Sequence, residues 1–218
     1  MEKKMLPKVI TVATSKGGAG KSTLVRNIAC HCMQSGFKVA VIDADPQGSI
    51  IKRHKSDGPL KDLYVIAEPE ENVSSVIEEL REKYYPIIVD TGGFRNRTTI
   101  KALVASSLAI IPLKPSADDL TAAVDTYSLI QELNQTTERV ANPIMYKMIM
   151  TMSQQGTIIS RHIRKELESM GFFLMKAEMF HRVAYPEAAI NGLSPCITDP
   201  EGAASRDIAA LMYELNVV

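Results

Sequence analysis

Ten residues limit what this chain can become more than any others: Thr14-Ser15-Lys16-Gly17-Gly18-Ala19-Gly20-Lys21-Ser22-Thr23. A β-branched run, Val9-Ile10-Thr11-Val12, precedes them and a helical pattern follows, so they read as the turn between a strand and a helix. The glycines let successive backbone N–H groups turn inward around an anion with no Cβ in the way. A helix starting near Lys21 adds the positive end of its dipole. In such a loop Lys21 is expected to reach the β- and γ-phosphates of a nucleotide and the Ser22 hydroxyl to ligate Mg²⁺. Lys16, Gly17, Gly18, Ala19, Gly20 and Thr23 complete the expected phosphate cradle.

The rest of the pattern agrees with one α/β domain over residues 1–218. Apolar runs at 8–14, 37–42, 63–67, 84–90, 108–113, 144–152 and 172–175 read as strands, most with no polar alternation. Helical spacing fills the gaps: 22–35 closed by Gly36, a stretch around Val73, Val76, Ile77 and Leu80 with Asn72 as cap, 98–105, Ser116 to about 133, 157–169, and a last helix from Asp199-Pro200. Ala204, Ile208, Leu211 and Leu215 give that last helix an apolar stripe for packing onto the body. The expected fold is a mostly parallel, twisted sheet with helices on both faces. The methionines of the 144–152 run read as core filler. Residues 50–62, with Lys52, Arg53, His54 and Lys55, read as a solvated polar connection.

Two further strands end in acids. The 37–42 run leads into Asp43-Ala44-Asp45-Pro46-Gln47-Gly48-Ser49, a stiff polar loop, and the 84–90 run ends at Asp90 before Thr91-Gly92-Gly93. Either could be an ordinary turn. At the same sheet edge as a phosphate loop, they supply a carboxylate to position water and a carboxylate to hold Mg²⁺, Asp90 through water.

The loop departs from the general G-x-x-x-x-G-K-[ST] form, because Ser15 stands at the first glycine and a second lysine, Lys16, follows it. K-G-G-x-G-K-[ST] is the deviant Walker A form, and here the sequence resembles the ParA/MinD group of dimeric ATPases. The D-x-D-P-Q-G-S string resembles the first switch loop of ParA-type proteins. The resemblance covers nearly the whole chain. It implies catalytic roles for Lys16, Lys21 and Asp45, ATP and Mg²⁺ as cofactors, and a homodimer formed with ATP in which Lys16 crosses to the partner's nucleotide. It also implies binding to DNA without sequence preference and a separate centromere-binding or adaptor protein that stimulates hydrolysis. The expected activity is ATP hydrolysis coupled to positioning a cargo, as in plasmid or chromosome partition. Gly92-Gly93 departs from the D-T-P-P of many ParA-type proteins, which predicts a looser second switch, and Arg95 and Arg97 beyond it have no assigned role. With eight residues before the first strand, the short type without an amino-terminal helix-turn-helix is expected.

Composition narrows the partners. Lys and Arg total 25 against 25 Asp and Glu, so a nucleic-acid contact needs a local patch. Lys176, Arg182 and Arg206 are the first candidates, with Arg161, Arg164 and Lys165 behind them. No apolar run approaches the roughly 18 residues of a membrane span, and the expected compartment is the cytoplasm, on the nucleoid when ATP is bound. Cys30 and Cys32 sit two apart on a helix and face differently, so they read as small core residues, and Cys196 stands alone. Three rivals share the loop: a MinD-like protein on a membrane, the same ATPase moving a chemoreceptor array or microcompartment, and an ATP-dependent ligase or electron-transfer ATPase.

Overall fold

β1 (Val9–Val12) has every residue buried, and the sheet is assembled around it. The computed structural model describes residues 7–55, 57–93 and 95–215. Among these, β2 (Ala40–Ala44), β3 (Tyr64–Ala67), β4 (Ile87–Thr91), β5 (Leu108–Leu113), β6 (Met145–Ser153) and β7 (Met179–Phe180) complete one sheet of order β3-β2-β4-β1-β5-β6-β7. Every strand pair is parallel. Parallel neighbours need crossovers; of the eight α-helices among the described residues, five lie between strands and three follow β7, and together they cover both faces.

On one face α1 (Lys21–Gln34), α7 (Pro195–Thr198) and α8 (Ala203–Glu214) pack Leu24, Ile28, Ile208 and Leu211 onto Ile10, Val41, Ile88 and Ile110. On the other, α2 (Val73–Leu80) and α3 (Arg97–Val104) cover β2 and β4, while α4 (Ala117–Asn134) and α5 (Ile158–Ser169) cover β5 and β6. After the last strand, α6 (Ala184–Ile190) leads into α7 and α8. Truncating one of these buried leucines or isoleucines to alanine costs ~2–5 kcal/mol.

The register sets the site. Val12 pairs with Asp90, and Asp90 pairs with Asp43, so the carboxyl ends of β1, β4 and β2 lie in one row. All three sequence loops therefore leave the same sheet edge. That edge is where open α/β sheets bind ligands.

Several expectations shift. The run 172–175 contributes one isolated bridge, Leu174 to Met148, and the terminal strand is β7 instead. The last helix starts at Ala203 with Gly202 as cap, and proline takes the first helical position in α7, at Pro195. The stripe Ala204, Ile208, Leu211 and Leu215 is buried as expected. Asn72 makes no side-chain cap. In 50–62 a 3₁₀ turn, Ile51–Arg53, forms, and Ile50 and Leu60 anchor the segment in the core. Of the β6 methionines, Met148 and Met150 are core, but Met145 and Met152 are exposed, and Met152 has a φ of 52°. Cys30, Cys32 and Cys196 are all buried free thiols.

Candidate functional site

At the row of strand ends lies a cavity of about 620 Å³ lined by 14–18, 20–23, Arg26, Asp45, Gln47, Ser49, Arg53, Gly92, Gly93, Met152 and part of α6. Lys16, Gly17, Gly18, Gly20, Lys21, Ser22, Thr23 and Asp45 thus meet around one space. Ala19 and Asp90 are buried behind the lining.

The loop takes its shape from backbone that only glycine adopts cheaply. Gly18 has φ 73° and Gly20 has φ 86°, in the left-handed region. Gly20 is also the cap of α1 and offers no side-chain acceptor, so the first N–H groups of that helix are open to an anion. The Thr151 hydroxyl of β6 donates to the Ala19 carbonyl at 2.8 Å and holds the loop from below. Ser15, where the general motif has glycine, has its own work. Its N–H donates to Thr126 Oγ1 at 3.1 Å and its hydroxyl to the Ala122 carbonyl at 3.1 Å, tying the loop to α4.

Lys16 also finds partners on α4, within its own chain. Its Nζ lies 2.8 Å from Asp119 Oδ2 and 3.4 Å from Asp118 Oδ2. The hydrogen bond to Asp119 raises the ammonium pKa above its ordinary value. Burial pushes the Asp119 carboxyl up, but Lys16, the Ser116 hydroxyl and the Lys114 N–H outweigh it and hold the carboxyl below its usual range. Ser116 caps α4 by accepting from the Asp119 N–H at 3.1 Å, but the Asp119 carboxylate turns to Lys16 instead of completing a capping box. The second lysine therefore has a neutralising anion in this chain before any other subunit arrives.

The two acids of the 43–49 loop divide their work. Asp43 is fully buried, and its Oδ2 accepts from the N–H groups of Ile50 and Ile51, both at 2.9 Å. It folds the loop back on itself. Asp45 is half-exposed at the cavity wall, and its Oδ1 accepts from the Gln47 N–H at 2.9 Å. Gly92 of the neighbouring loop fits against it: a Cβ there would lie 3.0 Å from Pro46 Cδ and 3.2 Å from Asp45 Oδ1. The missing side chain at Gly92 thus serves close approach between the two loops. Arg95 and Arg97 beyond it bond to Glu132 and Glu71.

Asp90 is the least satisfied group in the site. Both carboxylate oxygens are buried, and among the described residues neither has a partner in hydrogen-bonding geometry. Burial raises its pKa to about 7, while Ser22 and Lys21 draw it down and Asp43 and Asp45 push it up. A buried carboxylate without donors, beside a serine hydroxyl and open backbone amides, suits a hard cation bound together with phosphate oxygens. The residues present therefore fit Mg²⁺ and a nucleotide.

Residues 10–195 match the CobQ/CobB/MinD/ParA nucleotide binding domain. The chain belongs to this family. A relative in Rhizobium radiobacter named Protein ParA is 25% identical over 181 residues, covering 81% of this chain and 80% of that protein. The Maintenance of carboxysome distribution protein A of Halothiobacillus neapolitanus is 23% identical over 190 residues, covering 85% of each. Among solved structures, the septum site-determining protein MinD of Pyrococcus horikoshii complexed with Mg-ADP superposes with a TM-score of 0.75 at 16% identity, covering 95% of each chain. The sheet is that of the MinD/ParA P-loop fold.

The DNA candidates lie outside the cavity, and several are engaged. Arg182 grips Asp207 through Nε at 2.6 Å and Nη2 at 2.8 Å. Arg164 bonds Glu178 at 2.6 Å, and Arg206 donates to the Glu201 carbonyl. Lys176, Arg161 and Lys165 are exposed. Arg53, expected in a solvated connection, lines the cavity instead, and so does Arg26, for which the spacing one turn after Ser22 was the available signal.

Proposed function

We propose that this chain is an ATPase that dimerises on ATP, binds DNA without sequence preference and positions a cargo, a plasmid or chromosome, until a separate adaptor protein stimulates hydrolysis. The observation that carries the reading is one cavity lined by a deviant Walker A loop and Asp45, with the Asp90 carboxylate buried behind it beside Ser22. The open N–H groups of α1 and Lys21 bind and orient the triphosphate. Ser22, with Asp90 through water, would hold Mg²⁺, which neutralises charge on the phosphates. Asp45 orients the attacking water by accepting its proton in a hydrogen bond. The ParA relative supports partition. The likeness to a carboxysome distribution protein favours a second reading, the same ATPase acting on a protein cargo.

Dimerisation by ATP requires Lys16 to leave Asp118 and Asp119 for the partner's nucleotide. Light scattering on an Asp45→Ala background, where ATP persists, tests this. ATP should double the mass of Asp45→Ala and leave Lys16→Ala/Asp45→Ala monomeric. Equal dimerisation of both would remove Lys16 from the interface and weaken the reading with it.

A further inference from the structure

Two guanidinium groups at the loop 43–49 end of the cavity have no assigned work. Arg26 lies on α1 four residues after Ser22, hence on the same helix face one turn deeper. Its Nη2 donates to the Ser49 carbonyl at 3.2 Å. Arg53 closes the 3₁₀ turn, and its Nη1 donates to the same carbonyl at 3.0 Å. Both side chains line the cavity.

The arrangement is unbalanced in charge. Arg26 is 6% exposed, and among the described residues neither arginine has a carboxylate within ion-pair distance. Burial lowers the Arg26 pKa and the nearby charge of Arg53 lowers it further, and together they outweigh the upward pull of Asp90 and Asp43. The acids that could compensate are occupied or claimed. Asp43 spends its oxygens on backbone N–H groups, and Asp90 faces the proposed metal. A buried guanidinium with a like charge beside it and one neutral acceptor is costly unless an anion arrives from outside. Two planar forks converging on one point suit the tetrahedral oxygens of a phosphate, which each can bind bidentately.

We propose that Arg26 and Arg53 form an anion subsite for the terminal phosphate of the nucleotide, holding the Ser49 carbonyl until that phosphate displaces it. The inference rests on the nucleotide reading above and adds how the chain separates ATP from ADP. The α1 amides, and Lys21 through its contact with the β-phosphate, hold a part common to both nucleotides, whereas the arginines contact only the third phosphate. The same exchange frees Ser49, so the loop that carries Asp45 responds to the γ-phosphate within a single chain.

The test measures equilibrium affinity for ADP and for a non-hydrolysable ATP analogue, both with Mg²⁺, by titration calorimetry. The proteins are wild type, Arg26→Gln, Arg53→Gln and, as control, Lys21→Ala. Each arginine variant should weaken the ATP analogue about ten-fold or more while ADP stays within about two-fold. Arg53 is exposed, so Arg53→Gln remains a test if Arg26→Gln folds poorly. Unchanged affinity for both nucleotides would make the arginines mere braces on Ser49 and overturn the proposal. An equal loss for both nucleotides would overturn it too, because it would show no preference for the third phosphate. If wild type binds neither nucleotide, the nucleotide reading fails and takes this proposal with it. Binding by wild type and loss of both nucleotides in Lys21→Ala keep that reading whatever the arginines do.

Discussion

Gly92 and Gly93 are neighbours, yet alanine should act on them in opposite directions. Neither has a positive φ, so both backbones accept a side chain. At Gly92 the new carbon would stand 3.0 Å from Pro46 Cδ, 3.2 Å from Asp45 Oδ1 and 3.3 Å from Asp45 Cα. A proline ring and a backbone atom yield poorly, so the contact must open by a few tenths of an ångström. Overpacking of this kind costs about 1–3 kcal/mol. Restricting the unfolded chain returns about 0.4–1 kcal/mol, leaving Gly92→Ala less stable by about 1 kcal/mol. At Gly93 the added carbon meets only Asn96 Nδ2 at 3.7 Å, an ordinary contact, so the unfolded-state gain of about 0.4–1 kcal/mol should appear alone. Urea unfolding, extrapolated linearly, measures both, and the midpoints should move apart with unchanged slope. The displaced group carries Asp45, so Gly92→Ala should also lower turnover roughly ten-fold while nucleotide affinity holds. Two midpoints that rise together, or a Gly92→Ala enzyme with full turnover, would refute the claim that the two loops touch through Gly92.

Three other outcomes follow from the site. Asp90 should make the nucleotide-free protein lose stability as pH rises: with its pKa raised from 3.8 to about 7, the folded state holds a proton that the unfolded state has released, so stability is full below about 4 and declines through about 7. Asp90→Asn should flatten that dependence and stabilise the protein above pH 7 by up to about 4 kcal/mol, and a wild-type unfolding midpoint constant from pH 4 to 8 would contradict it. Lys21→Ala should abolish binding of a fluorescent ATP analogue, and unchanged affinity would show that the loop has been misread. Retention on mixed-sequence duplex should require ATP, fall steeply with salt, and weaken in Lys176→Ala more than in Arg182→Ala, whose guanidinium already serves Asp207; equal retention with and without ATP would sink the coupling.

The phosphate loop, the strand-end acids and the alternation of strands with helices were all readable, because each is a local pattern of a few residues. What the sequence concealed depends on partners far along the chain. Ser15 stands in the sequence only as a departure from glycine, and nothing local says that Thr126 and Ala122 come beside it or that Asp119 comes beside Lys16. Gly92 looked like slack because nothing local says that Pro46 lies against it. Asp43 and Asp45 look alike in sequence, and only burial separates the acid that folds the loop from the one that faces the cavity. The misplaced strand had a similar cause: Phe172 and Leu174 pack beside α4 and β6, Phe173 is exposed and Met175 joins the core on the α1 and α8 face, while the two-residue β7 was too short to leave a pattern.

The central claim is that this cavity hydrolyses ATP with Asp45 orienting the water. Its most direct test is phosphate release in a single turnover, with protein in excess over Mg-ATP, for wild type and Asp45→Ala at matched occupancy. Wild type should release phosphate, and Asp45→Ala should bind ATP as tightly but release it slower by about 100-fold or more. Equal release rates from the two proteins would make Asp45 a structural residue and contradict the account.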